Sequence, residues 1–160
     1  MFTNKHVIVA MIVAPVLSIL AWLAVGEFIG EKPQVAQPGQ AYPLVEKSNC
    51  RYVSGLCELE NEDFRLRLFY QDDAAGRQLV LRSSHALEGV VISVGIPENG
   101  KQPGAMRSAD GQGLEWVLAL DSRPTPEERI RLVASATGST YFGEAGTLFL
   151  QPGDGDAMQR

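Results

Sequence analysis

Phe64-Arg65-Leu66-Arg67-Leu68-Phe69-Tyr70 alternates large apolar residues with arginine. In an extended chain, Phe64, Leu66, Leu68 and Tyr70 fall on one side, with Arg65 and Arg67 on the other. Successive strand side chains point to opposite faces, so this is the pattern of a half-buried strand. Just upstream, Leu56 to Glu60 alternates in the same way, with Cys57 and Leu59 against Glu58 and Glu60. A turn at Asn61 and Glu62 pairs Leu59 with Phe64 and Glu58 with Arg65. The apolar and charged faces then agree across both strands. The weak point of that register is Glu60 opposite Asp63, a like-charge pair.

Cys50 precedes this hairpin and Cys57 lies in its first strand; they are the only cysteines. Residues Arg51 to Leu56 fit a hairpin with a four-residue turn, Tyr52 to Gly55, in which Gly55 takes a positive φ. That register sets Cys50 opposite Cys57, within bridging reach. In an exported domain the pair reads as a structural disulfide. The rival readings are a redox pair and half a metal site. The spacing is not Cys-x-x-Cys, and no histidine is near in sequence.

Downstream, period-two patterning continues. Gln71 to Gly76 reads as a polar turn and Gln78 to Arg82 as a short strand. Val90, Ile92, Val94 and Ile96 alternate with Val91, Ser93 and Gly95, a strand buried on one face and partly on the other. Pro97 to Gly113 is rich in Gly, Pro, Asn and Asp and reads as one long loop. Leu114 to Asp121 is a strand around Trp116, Leu118 and Leu120. Thr125-Pro126-Glu127-Glu128 has capping-box form, yet Arg129-Ile130-Arg131-Leu132 alternates at period two. The alternation favours a turn into a strand over a short helix. Thr140 to Phe142 and Thr147 to Leu150 read as closing strands, and 151–160 as a flexible polar tail. Short strands spaced by turn signals predict an all-β, antiparallel immunoglobulin-like sandwich over 44–150.

The layout from about Cys50 to Leu150, ending in Ser139-Thr140-Tyr141-Phe142-Gly143-Glu144-Ala145-Gly146-Thr147-Leu148-Phe149-Leu150, resembles single-span periplasmic sandwich proteins. These include the FixH family of oxidase-assembly proteins and the CopC family of copper carriers. The copper carriers use histidine- and methionine-rich ligand sets. This chain has no such cluster, so the resemblance implies no metal ligand here.

Val7 to Gly26 is an uncharged, mostly apolar run of the length that crosses a bilayer core. It predicts one N-terminal transmembrane helix, with 1–6 as a cytoplasmic tail and 27–43 as a linker. Lys5 lies before the run, and Glu27, Glu31 and Lys32 lie after it. The positive-inside rule then places the N-terminus in the cytoplasm and the domain in the periplasm, at a bacterial inner membrane. The competing reading is a signal peptide cleaved at Ala24-Val25-Gly26. Ala10, Ala14 and Ser18 recur every fourth residue, a small-residue stripe that would let another helix approach. Pro15 is tolerable within such a span.

The chain holds 14 Lys and Arg against 19 Asp and Glu, with no basic stripe, which argues against nucleic acid. Glu58, Glu60, Glu62 and Asp63, like Asp72 and Asp73, read as a solvated face beside cross-strand arginines, since no EF-hand spacing appears. Ser83-Ser84-His85 invites a hydrolase reading, but adjacent residues rarely have the needed geometry and no Gly-x-Ser-x-Gly elbow is present. His85 as a metal ligand would need partners such as Met106 that spacing does not place. No catalytic residue, metal or cofactor is expected.

The expected function is a binding or assembly module, an accessory component of an inner-membrane complex. It would contact other membrane proteins or a second copy of itself, and the bilayer through its anchor. Pro97, Asn99, Lys101, Met106 and Arg107 mark the expected contact loop. The alternatives are a ligand-sensing ectodomain acting through a partner, and a tethered metal-dependent or hydrolytic enzyme using His85.

Overall fold

The structure, a computed structural model, describes residues 4–28, 37–74, 76–99 and 102–153. The chain divides into two units, Met1–Gln34 and Val35–Arg160.

The first unit contains one helix, α1 (Lys5–Phe28), of 24 residues. At 1.5 Å per residue it is about 36 Å long. It passes through Pro15, and its large apolar side chains from Ile8 to Leu23 are exposed. Ser18 Oγ donates to the Ala14 carbonyl at 2.9 Å, so the one hydroxyl of the small-residue stripe is spent inside its own helix. Among the described residues, no helix is long and apolar enough to cross a membrane. The expected segment 7–26 is thus helical, and a membrane span is not shown.

The second unit is mostly β, with two antiparallel-rich sheets in a sandwich-like arrangement. Its strands are β1 (Ala41–Pro43), β2 (Val45–Glu46), β3 (Leu56–Asn61), β4 (Phe64–Asp73), β5 (Gly76–Ser83), β6 (Gly89–Gly95), β7 (Gly104–Ala105), β8 (Arg107–Ser108), β9 (Glu115–Ala119), β10 (Arg129–Ala136) and β11 (Ser139–Gly146). The first sheet has the order β1-β11-β10-β6-β7 and the second β2-β3-β4-β5-β9-β8. Leu59, Leu66, Leu68, Leu79, Leu81, Ile92, Ile130 and Phe149 fill the space between them. Trp116 joins this core, and its indole N–H donates to the Gly113 carbonyl at 3.0 Å.

The strand at Phe64 forms as its alternation predicts, but its hairpin turns one residue later, which moves each cross-strand partner by two. Asn61 pairs with Phe64, Leu59 with Leu66, and Glu58 with Arg67. A shift of the partner by two preserves every face. It also replaces the repulsive Glu60–Asp63 pair by Glu60 opposite Arg65. The turn residue Glu62 accepts φ +54 to allow this. The polar turn expected over 71–76 shrinks similarly: β4 runs to Asp73 and pairs with Gly76 at the start of β5.

Cys50 and Cys57 form the expected disulfide, with a Cα–Cα separation of 4.2 Å. The hairpin proposed around it is absent. Cys50 sits on a 3-10 turn, Ser48–Arg51, packed beside β3. Asn49 Oδ1 accepts from the Glu58 N–H and Ser54 Oγ donates to the Asn49 carbonyl, so side chains hold this loop in place of a strand ladder. Gly55 does take a positive φ, +73.

Two further expectations change, and a third, the turn into a strand at 125–128, is met. The segment before Leu44 is not all linker, because β1 pairs in parallel with β11 and Tyr42 is buried against Tyr141. Residues 148–150 form a 3-10 turn rather than a closing strand, while β11 runs unbroken through Gly143. At 125–128 the capping-type contacts exist, with Thr125 N–H donating to Glu128 Oε2 at 2.6 Å, but they close a single turn that leads into β10.

Candidate functional site

The expected contact loop, Pro97 to Gly113, is a sheet crossing. β7 pairs with β6 in the first sheet and β8 pairs with β9 in the second. Between them Met106 is buried, with its N–H on the Val90 carbonyl. Met106 is therefore a core residue and not a contact residue. Two-residue strands around one buried side chain give no legible period, which is why the stretch reads as a loop. Arg107 is exposed on β8, and Pro97 borders a groove on the first sheet. Lys101 and the side chain of Asn99 lie outside the described residues.

Asp110 organises the end of this crossing and was not singled out by the sequence. Its carboxylate accepts from the N–H groups of Gln112, Gly113, Leu114 and Glu115 at 3.0–3.1 Å. Desolvation pushes its pKa up, but the four backbone bonds outweigh that and hold it below the ordinary 3.8. Gly113 has φ +77, and a Cβ there would stand 2.5 Å from the Leu87 carbonyl oxygen, so glycine is required.

His85 caps an aromatic column. Its ring stacks on Phe64 at 5.7 Å, Phe64 stacks on Tyr141 at 3.7 Å, and Tyr141 meets Tyr42 at 5.6 Å. Burial, followed by the charges of Tyr42, Asp63 and Glu62, pushes the Tyr141 pKa above 10.0. Ser84 Oγ lies 2.9 Å from His85 Nδ1, so this adjacent pair does touch, contrary to the expectation. The hydroxyl is also bound into the fold: it accepts the Arg65 N–H and lies 3.3 Å from the Asp63 carbonyl. Its single proton can serve either His85 or Asp63, not both. No carboxylate contact orients His85 among the described residues, and no group of three His, Cys, Asp or Glu there could hold a metal.

The outer face of the first sheet carries a different arrangement. Pro43 pairs with Phe142, Phe142 with Val133, Val133 with Val91, and Val91 with Ala105. These five residues, one per strand, form an exposed apolar row across the whole sheet. Phe142 is 44% exposed, Val133 43% and Val91 44%. The next row holds Glu144, which takes Arg129 Nε at 2.8 Å and Arg131 Nε at 3.1 Å. Desolvation raises the Glu144 pKa, but bonds from Arg131 and Arg129 bring it below 4.5. An open groove of about 810 Å³ runs along the apolar row and includes Pro97, Pro103 and Arg131.

The outer face of the second sheet has a row of charges. Glu58, Arg67, Arg82 and Glu115 stand in register on β3, β4, β5 and β9. Arg67 Nε bonds Glu58 at 2.8 Å and Arg82 Nε bonds Glu115 at 2.6 Å. The neighbouring row runs Leu56, Phe69, Val80, Val117 and Arg107. The Arg82 guanidinium lies 4.8 Å from the Phe69 ring centre. A pocket of about 540 Å³ opens here, lined by Leu56, Arg65, Arg67, Phe69, Arg82, Ser83 and Ser84.

The sequence shows the arginines and the outward valine of β6 singly. It does not show that they assemble, because β6 meets β10 and β5 meets β9 only through non-local pairing. No family model, curated protein or solved structure matches this chain. The resemblance in layout to the FixH and CopC families therefore brings no residue to either face.

Proposed function

We propose that this chain is a tethered binding module, an accessory component of a bacterial inner-membrane complex, and that it docks its partner on the outer face of the first sheet. The observation that carries this reading is the apolar row Pro43, Phe142, Val133, Val91 and Ala105. Contiguous apolar surface of this kind on a soluble sheet is a mark of an interaction site. The edge strands β1, β2, β7 and β8 are two or three residues long, so the face offers more than the edges do.

The anchor belongs to the same proposal. Helix α1 is apolar around its circumference, and its residues from Ile8 to Leu23 are uncharged. A helix apolar all round needs either a protein core or lipid around it. Lys5 on the N-terminal side favours a cytoplasmic N-terminus and a periplasmic sandwich, where the disulfide would persist. Ala10, Ala14 and Ser18 would be the side on which a second helix could approach. The finer fold reading, immunoglobulin-like, is supported by the sheet changes at β1–β2, β5–β6 and β9–β10 and the crossing at Met106.

The test is a mild-detergent pull-down of the full-length chain with Val133→Asp and Phe142→Ser variants. The expected result is stoichiometric recovery of a membrane protein by the wild type and its loss in both variants, with unchanged melting. Equal recovery by wild type and both variants would exclude the face. Loss only in Ala14→Leu would move the contact to the helix. The enzyme alternative predicts that His85→Ala abolishes function; the aromatic column predicts a modest stability loss only.

A further inference from the structure

We propose that the second sheet carries a ligand site, separate from the docking face, for a small organic monocarboxylate with an apolar body. Its anionic end would sit between Arg67 and Arg82, and its body on Leu56 and Phe69.

The charge order across the sheet is the first argument. Glu58, Arg67, Arg82 and Glu115 run acid, base, base, acid, so the two arginines are direct cross-strand neighbours. Like charges opposite one another destabilise a sheet, and an alternating order would avoid this. Each guanidinium gives its Nε to the carboxylate on its outer side. Arg65 adds a third guanidinium one pair along β4. Its cross-strand partner Glu60 is held by Lys47 at 2.7 Å.

The second argument is the pocket itself. Its lining includes three arginines and no carboxylate. Glu58 and Glu115 stand outside it and compensate two of the three charges, leaving one positive charge in excess. A single negative charge restores balance, whereas a phosphate dianion would overshoot. A carboxylate presents two coplanar oxygens that match the fork of an arginine. The volume, about 540 Å³, is in the range of small-molecule sites and exceeds what a bare ion fills. The remaining lining also speaks for a body. Leu56 and Phe69 are half-buried, and the Phe69 ring is braced by Arg82. A ligand with an aromatic or aliphatic group beside its carboxylate would cover both.

The test is calorimetric titration of the full-length chain in mild detergent with 3-phenylpropanoate, 3-phenylpropan-1-ol and inorganic phosphate. The expected result is saturable binding of the acid, at least about tenfold weaker binding of the alcohol, and no saturable binding of phosphate. Arg67→Gln and Arg82→Gln should each weaken the acid about tenfold or more, as loss of a charge-assisted hydrogen bond does. Arg131→Gln, on the other sheet, should leave it unchanged. Arg65→Gln serves where Arg67 or Arg82 variants fail to fold, since Arg65 makes no ion pair among the described residues. Equal affinity for acid and alcohol would overturn the proposal. So would preference for phosphate, no binding of the acid at millimolar concentration, or wild-type affinity in the glutamine variants. None of these outcomes bears on the docking face, which the pull-down tests alone.

Discussion

The two outer faces of the sandwich are built to the same plan and end in different states. Each has an apolar row one residue wide with two arginines beyond it, in successive rows on the first sheet and in one row on the second. On the first sheet, Arg129 and Arg131 converge on Glu144, and Phe142, Val133 and Val91 stay more than two-fifths exposed. On the second, the arginines reach outward to Glu58 and Glu115, Arg82 lies over Phe69, and Val80 beneath is 2% exposed. Arginine stems are apolar and can shelter a sheet face while the charged head stays wet. Where the carboxylate stands decides which way the stem leans. One face stays uncovered, while the other is roofed by cations beside a charged pocket.

The sharpest way to break this comparison is to place the same charge on both rows. Val80→Asp takes a carboxylate out of water at a buried position and should cost roughly 3–5 kcal/mol, enough to unfold a marginal domain. Val133→Asp, at the equivalent place on the first sheet, should stay within about 0.5 kcal/mol of wild type. Denaturant melts of the two variants compare them directly. Similar losses would mean that the first face is covered in solution by something that unfolding must displace.

Removing the disulfide tests the second sheet alone. Cys50–Cys57 closes a loop of seven residues' separation, and its loss in a double serine variant should cost about 2–3 kcal/mol by the chain-entropy relation. Hydrogen exchange should quicken in β2 and β3, which the 3-10 turn buttresses, and stay unchanged in β6 and β10. Uniform acceleration would show that the bridge stabilises the whole sandwich rather than one border.

A smaller effect isolates the roof. A double-mutant cycle of Phe69→Leu and Arg82→Gln should return a coupling of about 0.5–1 kcal/mol, the usual size for an exposed cation over a ring. The matching cycle on the first face, Phe142→Leu with Arg131→Gln, should return about zero, because those arginines point to Glu144. Equal couplings would erase the distinction between covered and uncovered rows.

Local pairing is legible in the sequence, and long-range assembly is not. The alternation at Phe64 to Tyr70 showed which residues face the core, and the spacing of Cys50 and Cys57 showed the bridge. Both depend on neighbours within about ten residues. The hairpin register slipped because a turn tolerating Glu62 at positive φ has no signature in that residue type. Met106 looked like a loop residue because its strands are two residues each, and a period needs more than that to show. Asp110 has no signature in the sequence for a related reason: its partners are backbone N–H groups, which every residue but proline carries. The two outer rows are legible only once β6 is set beside β10 and β5 beside β9, pairings that no local pattern encodes.

The smallest effect separates two depressed carboxylates by what depresses them. Glu144 on the first face is raised by desolvation and brought below 4.5 by Arg131 and Arg129. Asp110, which organises the loop into β9 of the second sheet, is brought below 3.8 by four backbone N–H bonds. A group whose folded pKa lies below its unfolded value stabilises the fold above the unfolded pKa. That contribution disappears as pH falls through the folded pKa. Both therefore add to acid lability, and Glu144→Gln and Asp110→Asn should each flatten the fall in melting temperature below about pH 4.5. Salt tells them apart. The arginines around Glu144 are exposed and their attraction is screened at high ionic strength, so the difference between wild type and Glu144→Gln should shrink toward zero in about 1 M NaCl. Hydrogen bonds from fixed backbone groups are short-ranged and geometric, so the Asp110→Asn difference should persist. If salt erased both differences alike, Asp110 would owe its depression to the general field of the domain, and the loop's hydrogen bonds would not be what holds it ionised.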